Sequence, residues 1–270
     1  MTNSNVLIAF ALTLFAGLST GIGSLIAFFT QRTQTKFLSV TLGFSAGVML
    51  YVSFVEILNG AFQQLSVALG RRPGSWVAIA AFFGGIALIA AIDKFVPTEE
   101  NPHEIHRVEE MDQVEKTMDT SKLMRVGSMT ALAIVIHNFP EGLATFTSAV
   151  NAPPLGIAIA IAIAIHNIPE GIAVAVPIYC ATGQRRKAFI LSLLSGFAEP
   201  IGAVVGYLLL MPFLNNVTFG VIYAAVAGIM VFISLDELLP TAREYGEHHL
   251  SMYGLIGGMA VMAVSLILLL

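Results

Sequence analysis

Two stretches decide the fold: VGSMTALAIVIHNFPEGLATFTSAV at residues 126–150 and PLGIAIAIAIAIHNIPEGIAVAVPI at residues 154–178. Each is longer than the ~20 predominantly apolar residues that a helix needs to cross a bilayer. Near the middle of each stands a polar hexapeptide, His137-Asn138-Phe139-Pro140-Glu141-Gly142 in the first and His166-Asn167-Ile168-Pro169-Glu170-Gly171 in the second. The copies differ at one apolar residue and lie 29 positions apart (166 minus 137). An ionisable side chain at the centre of a membrane helix costs about 3 kcal/mol on insertion scales, so it needs a partner or a bound ion. One buried His or Glu could be a satisfied structural group; the same hexapeptide twice is a functional signal.

On a helix, residues four apart share nearly one face and sit about one turn from each other. His137 with Glu141, and His166 with Glu170, therefore each direct an imidazole and a carboxylate toward a common centre. Two such helices packed together supply four ligands. Imidazole with carboxylate suits Zn²⁺ and its neighbours Fe²⁺, Mn²⁺, Co²⁺ and Ni²⁺, whereas Cu⁺ calls for thiolate or thioether. The chain has one cysteine, Cys180, outside the motif and unable to form an intramolecular disulfide. Each proline lacks an N–H, which leaves the carbonyls of Ile136 and Ile165 without their intrahelical partners and predicts a kink. Gly142 and Gly171 are expected to let another backbone approach closely. Irregular backbone at membrane depth is tolerated only against protein or a watered cavity, so both motifs should face inward.

Outward from this pair the same apolar pattern continues. Further stretches lie near 6–28, 37–58, 76–96, 188–211, 217–239 and 253–270, which makes eight with the two above. The chain is 56% hydrophobic and 11% charged, with a mean hydropathy of +0.83, far from the quarter-charged composition of a soluble domain. We expect an all-α integral membrane protein, a bundle of eight transmembrane helices in one transmembrane domain over residues 1–270. Residues 1–5 carry no Lys or Arg and no cleavage site is evident, so the first stretch reads as a span rather than a signal peptide. A net charge of −4 argues against a nucleic-acid partner. The expected partners are metal ions and the lipid bilayer, and a homodimer is a possible assembly.

Lys and Arg in short loops are retained on the cytoplasmic side. With the N-terminus outside, 11 of the 13 Lys and Arg fall in inner loops, and only Arg71 and Arg72 fall outside. Both termini are then on the outer side of the cell inner membrane, which agrees with an even number of spans ending at Leu270. One loop is long, about 97–125, acidic and expected to be a cytoplasmic tether. Its His103, Glu104, His106, Glu109 and Glu110, like Glu247, His248 and His249 nearer the C-terminus, read as solvated groups or transient metal contacts.

Three other places carry acids at or near membrane depth. Glu199, beside Pro200 in the sixth stretch, is expected to join the polar centre. Glu56 stands toward the end of the second stretch, where it lines an entrance or reaches the interface. Asp236 and Glu237 stand near the inner end of the seventh, as a solvated helix end or an exit vestibule.

With these residues in view, the sequence resembles the ZIP (Zrt/Irt-like) family of metal-ion transporters, and within it the bacterial ZupT-like branch. The paired His-Asn-x-Pro-Glu-Gly motifs carry most of the resemblance. Gly43-Phe44-Ser45-Ala46-Gly47-Val48-Met49, Gly196 to Pro200, and Ser234-Leu235-Asp236-Glu237-Leu238-Leu239-Pro240 support it, and the similarity runs over nearly the whole chain. The resemblance implies eight spans, a variable inner loop between the third and fourth, and uptake of Zn²⁺ with tolerance for Fe²⁺, Mn²⁺, Co²⁺ or Cd²⁺. It also implies a two-metal centre. One ion would be held by His137, Glu141, His166 and Glu170 with Met49, the other by Asn138, Glu141, Asn167, Glu170 and Glu199, the two repeat glutamates bridging both. The chain departs from the family in its inner loop, where many members are His-rich and this one has only His103 and His106. It departs also at Glu56, where some relatives carry a small polar residue; Glu56 is kept as a candidate metal residue.

Three functions compete on these residues. A transporter needs enough ligands to replace the hydration of a divalent ion and no catalytic nucleophile. An intramembrane zinc hydrolase needs an open coordination position and a Glu acting as base, but the repeat offers matched ligation and no His-Glu-x-x-His. A membrane metal sensor needs a soluble output domain, and none is visible. The chain reads as a transporter, not an enzyme, with the transported ion as its only metal and no catalytic cofactor.

Overall fold

The computed structural model describes residues 3–29, 35–94, 120–210, 215–245 and 248–268. All of its elements are helical: α1 (Asn3–Phe29), α2 (Thr35–Val52), α3 (Leu58–Leu69), α4 (Arg71–Asp93), α5 (Thr120–Asn151), α6 (Pro153–Thr182), α7 (Arg185–Gly196), α8 (Ala198–Val205), α9 (Asn216–Ile233), α10 (Leu239–Tyr245) and α11 (His248–Leu268). Wider π turns, Ser53–Ile57 and Ser234–Leu238, join α2 to α3 and α9 to α10, and a third, Gly206–Leu210, follows α8.

Seven helical segments among the described residues are long and apolar enough to cross a membrane. The motif helix α5 spans 32 residues, but Ser, Thr, His, Asn and Glu along it hold its hydropathy below theirs. The helices overrun the apolar stretches because hydrogen bonding carries them past the hydrocarbon into polar sequence. The second stretch, expected to end near 58, continues through α3 to Leu69, and α5 begins at Thr120, inside the segment expected to be loop. The sixth stretch, expected as one helix, breaks at Phe197. Pro200 lacks the N–H that would bond Gly196, and the chain turns there, with the Phe197 N–H shared between the carbonyls of Leu193 and Leu194.

Local chemistry sets the turns. Gly70, at φ +88°, joins α3 to α4, a conformation that a side chain would strain. Gly183, at φ +64°, closes α6 by donating to the Tyr179 carbonyl at 2.7 Å. Extended Ala152 with Pro153 at the first helical position turns α5 into α6, and Asn215 Oδ1 caps α9 by accepting from the N–H groups of Val217 and Thr218, each at 2.9 Å.

The helices pack as two groups. The first is α1, α5, α6, α7 and α8; in the second, α11 and α10 lie on α2, while α4 and α9 lie on α3. Glycines tighten the seams inside each group. A Cβ on Gly23 would fall 1.9 Å from the Ile168 carbonyl oxygen across the α1–α6 seam, and one on Gly47 would fall 2.0 Å from that of Leu255 across the α2–α11 seam. Such close backbone approach is how membrane helices gain packing energy without a hydrophobic drive between them. Between the groups the main meetings are α2 with α6 and α9 with α5.

Those meeting helices carry repeats on both sides. Residues 47–58, GVMLYVSFVEIL, match residues 228–239, GIMVFISLDELL, with Gly, Met, Ser, Glu and Leu in common. Each copy places its Ser and Glu in a π turn, and Leu58 and Leu239 donate to the carbonyls of Ser53 and Ser234 five residues back. The copies run antiparallel: Gly60 touches Tyr223 and Leu65 touches Gly220, while the Ser39 hydroxyl donates to the Ala242 carbonyl at 2.6 Å. They are inverted repeats, an arrangement found in many transporters.

Candidate metal centre

Both motif helices run unbroken through their prolines, Pro140 and Pro169. Pro140, Pro169 and the motif asparagines and glutamates are buried, as the sequence predicts for residues turned from lipid. Glu141 and Glu199 are 0% exposed, Glu170 7%. The backbones of His137 and His166 stand one turn before Glu141 and Glu170; the two imidazoles lie outside the described part of the structure. Among the described residues no three His, Cys, Asp or Glu side chains form a ready-made metal cage.

The motif glycines have a visible purpose. A Cβ on Gly142 would fall 2.0 Å from the carbonyl oxygen of Glu199, and one on Gly171 would fall 1.9 Å from that of Thr20. Gly142 thus admits the start of α8 against the turn that carries Glu141, and Gly171 admits α1. Gly202 completes the first contact, since its Cβ would meet the Phe139 carbonyl at 2.3 Å. The break before Pro200 and the glycine after Glu141 together bring Glu199, in the first turn of α8, to the motif helices.

Glu199 reaches the second motif copy directly. Its Oε1 accepts a hydrogen bond from Asn167 Nδ2, and the same amide donates to the Ala16 carbonyl at 2.9 Å. One asparagine therefore ties α6 to α8 and α1. Its counterpart Asn138 is also fully buried, yet neither atom of its amide has a hydrogen-bond partner among the described residues, and Asn167 Oδ1 has none either. A buried amide left unpaired is costly. Oxygens placed beside buried carboxylates are the donors that a divalent cation takes.

Met49 is 1% exposed on α2, the helix that meets α6 across the seam. Glu56 is half-buried in the π turn, seven residues, ~10 Å along the axis, beyond Met49. Glu237 is buried in the other π turn and Asp236 is exposed. His249 is exposed and stacks on Tyr253. The acidic loop residues His103 to Glu110, and Glu247, lie outside the described residues, as does the side chain of His248.

Sequence reasoning missed the second repeat. The signal was present: Gly-x-Met-x-x-x-Ser-x-x-Glu at 47–56 and again at 228–237. It was masked because only its Ser and Glu are polar and the spacing of the copies is long.

Comparison with known proteins gives the family. The model of the family described as ZIP zinc transporter matches residues 94–266. A protein of Lysinibacillus sphaericus named zinc transporter ZupT is 67% identical over 267 residues, covering 99% of each chain. Proteins of the same name from Streptococcus mutans and Clostridium perfringens are 64% and 60% identical, covering 96% and 98% of this chain and 97% of each of theirs. A family model over more than half the chain and relatives of this identity over nearly all of it leave one conclusion: the chain belongs to the ZIP family of zinc transporters, in its ZupT-like branch.

Proposed function

We propose that this chain carries Zn²⁺ into the cytoplasm through a binuclear site built by the repeated motif, accepting Fe²⁺, Mn²⁺, Co²⁺ and Cd²⁺ as well. The observation that carries the reading is the meeting of Glu199 with both motif helices inside the membrane, by backbone contact at Gly142 and by hydrogen bond at Asn167. Glu141, Glu170 and Glu199 are all buried, and carboxylates drawn to one centre repel one another until a dication relieves the repulsion. His137, Glu141, His166 and Glu170, with Met49, hold one ion. Asn138, Asn167 and Glu199 join the two bridging glutamates around the other.

The names of the relatives support zinc as the substrate. The whole chain acts as one transport domain in the cell inner membrane, both termini outside, with a cytoplasmic loop at about 97–125; a homodimer is a possible assembly. The zinc-hydrolase alternative has less behind it, since the relatives are named as transporters and the repeat leaves no open coordination position. Purified protein in liposomes tests the proposal: uptake of Zn²⁺ without any substrate being cleaved is expected, with the other four metals giving smaller fluxes. Cleavage of a lipid or peptide without metal flux would overturn it.

A further inference from the structure

The two groups of helices meet at a second polar point, away from the motif. The hydroxyls of Ser148 on α5 and Tyr223 on α9 lie 2.7 Å apart, and both side chains are buried. Asn167, Ser24, Ser192 and Ser39 make their cross-helix hydrogen bonds inside one group; the Ser148–Tyr223 bridge crosses the seam between groups. A phenylalanine would pack at position 223 without burying a hydroxyl, whose desolvation is costly unless a partner is supplied. Here the partner stands on the other group.

Position gives the bridge its meaning. Ser148 lies seven residues beyond Glu141, and Glu56 lies seven beyond Met49; seven residues are about two turns, ~10 Å along the axis. Tyr223 links the two: its hydroxyl meets Ser148, and its ring lies against Gly60, one turn past Glu56. Between this level and the motif, each helix carries a buried hydroxyl with no partner among the described residues, Ser53 on the α2 side and Thr145 on α5. Asn138, Glu141, Thr145 and Ser148 fall on one face of α5, and Ser45, Met49 and Ser53 fall on one face of α2 and its π turn, the element that meets α6 across the same seam, by their three- and four-residue spacings.

We propose that Ser148 and Tyr223 form the outer gate of the ion route, with Glu56 as the acid that gathers a divalent cation at it. The proposal rests on the transport reading and orientation given above. When the gate is shut, the two hydroxyls satisfy each other and the ring, packed on Phe219 at 4.7 Å, fills the seam. When the groups part there, both hydroxyls and Glu56 become oxygen ligands for a partly hydrated ion, and Thr145 and Ser53 lead it to Glu141. One carboxylate among neutral oxygens holds a dication weakly, as a station that must release its ion requires.

Thiol labelling of intact cells tests the gate. In a Cys180→Ala background, Thr145→Cys is expected to react slowly with a membrane-impermeant reagent added outside. Adding Tyr223→Phe or Ser148→Ala should speed that reaction about three- to fivefold, the shift that one lost hydrogen bond produces. The two changes together should do no more than either alone, because they remove one interaction. In liposomes Glu56→Gln should raise the KM for Zn²⁺ more than it lowers the maximal rate. Zn²⁺ flux in the unsubstituted protein with unchanged labelling in both single variants would overturn the gate alone; no Zn²⁺ flux in the unsubstituted protein would overturn the transport reading and the gate with it.

Discussion

At the residue scale, charge separates the ligands. A carboxylate offsets a dication in a low-dielectric site far better than a neutral imidazole does. Glu141→Ala and Glu170→Ala are therefore expected to abolish Zn²⁺ uptake, while His137→Ala and His166→Ala weaken it or change selectivity; wild-type uptake by a well-expressed Glu141→Ala protein would refute the assignment. Glu199→Gln keeps the volume and removes one charge, so metal counting on purified protein should fall from two ions to one, with some transport kept. Two ions still bound at unchanged affinity would place Glu199 outside the site. The motif residues were legible because the sequence writes them twice. The Asn167–Glu199 hydrogen bond was not, since it depends on how a third helix breaks and packs. Neither asparagine could be told from its twin: Asn167 is engaged and Asn138 has no partner among the described residues, although their flanking residues are nearly the same.

At the element scale, hydropathy located the helices and misjudged their ends. Apolar content stops at the hydrocarbon boundary, but hydrogen bonding does not, which is why α3 carries the second span to Leu69 and α5 starts at Thr120. The π turns were invisible because no single residue demands them; the repeated Ser-x-x-Glu marks them only once the two copies are aligned. The close approach expected at Gly142 is present, and its partner, the Glu199 backbone, is what the sequence withheld. Gly142→Ala sets a methyl against that backbone, where no flexible side chain can give way. Overpacking of this kind costs about 1–3 kcal/mol, so the detergent-purified variant should melt lower than the parent and bind less Zn²⁺. Gly257→Ala, at a position where a Cβ meets nothing within 4 Å, is the matched control. Equal melting of the two variants would show that the α5–α8 seam is looser than it looks.

At the scale of the whole molecule, the division into two groups sets most of the candidate ligands in one of them. The candidate ligands of the motif, with Glu199, all sit on α5, α6 and α8 of the first group, while the candidates Met49 and Glu56 sit on the second. The glycine contacts that weld α1 to α6, α1 to α7 and α5 to α8 lie within that first group, so the site is built on a body that can hold its shape. A ligand that binds only the folded site stabilises it by mass action, by ~2.7 kcal/mol at a hundredfold excess over Kd, and local opening reports which elements share that gain. Saturating Zn²⁺ should therefore slow amide hydrogen exchange most in α5, α6 and the α7–α8 break, less in α2 beside Met49, and least in α4 and α11. Glu141→Ala should erase the difference without altering exchange in α4, which serves as the internal reference. Uniform protection along the chain, or protection centred on α4 and α9, would mean that the second group holds the metal and that the repeat at residues 137–171 is not where Zn²⁺ rests.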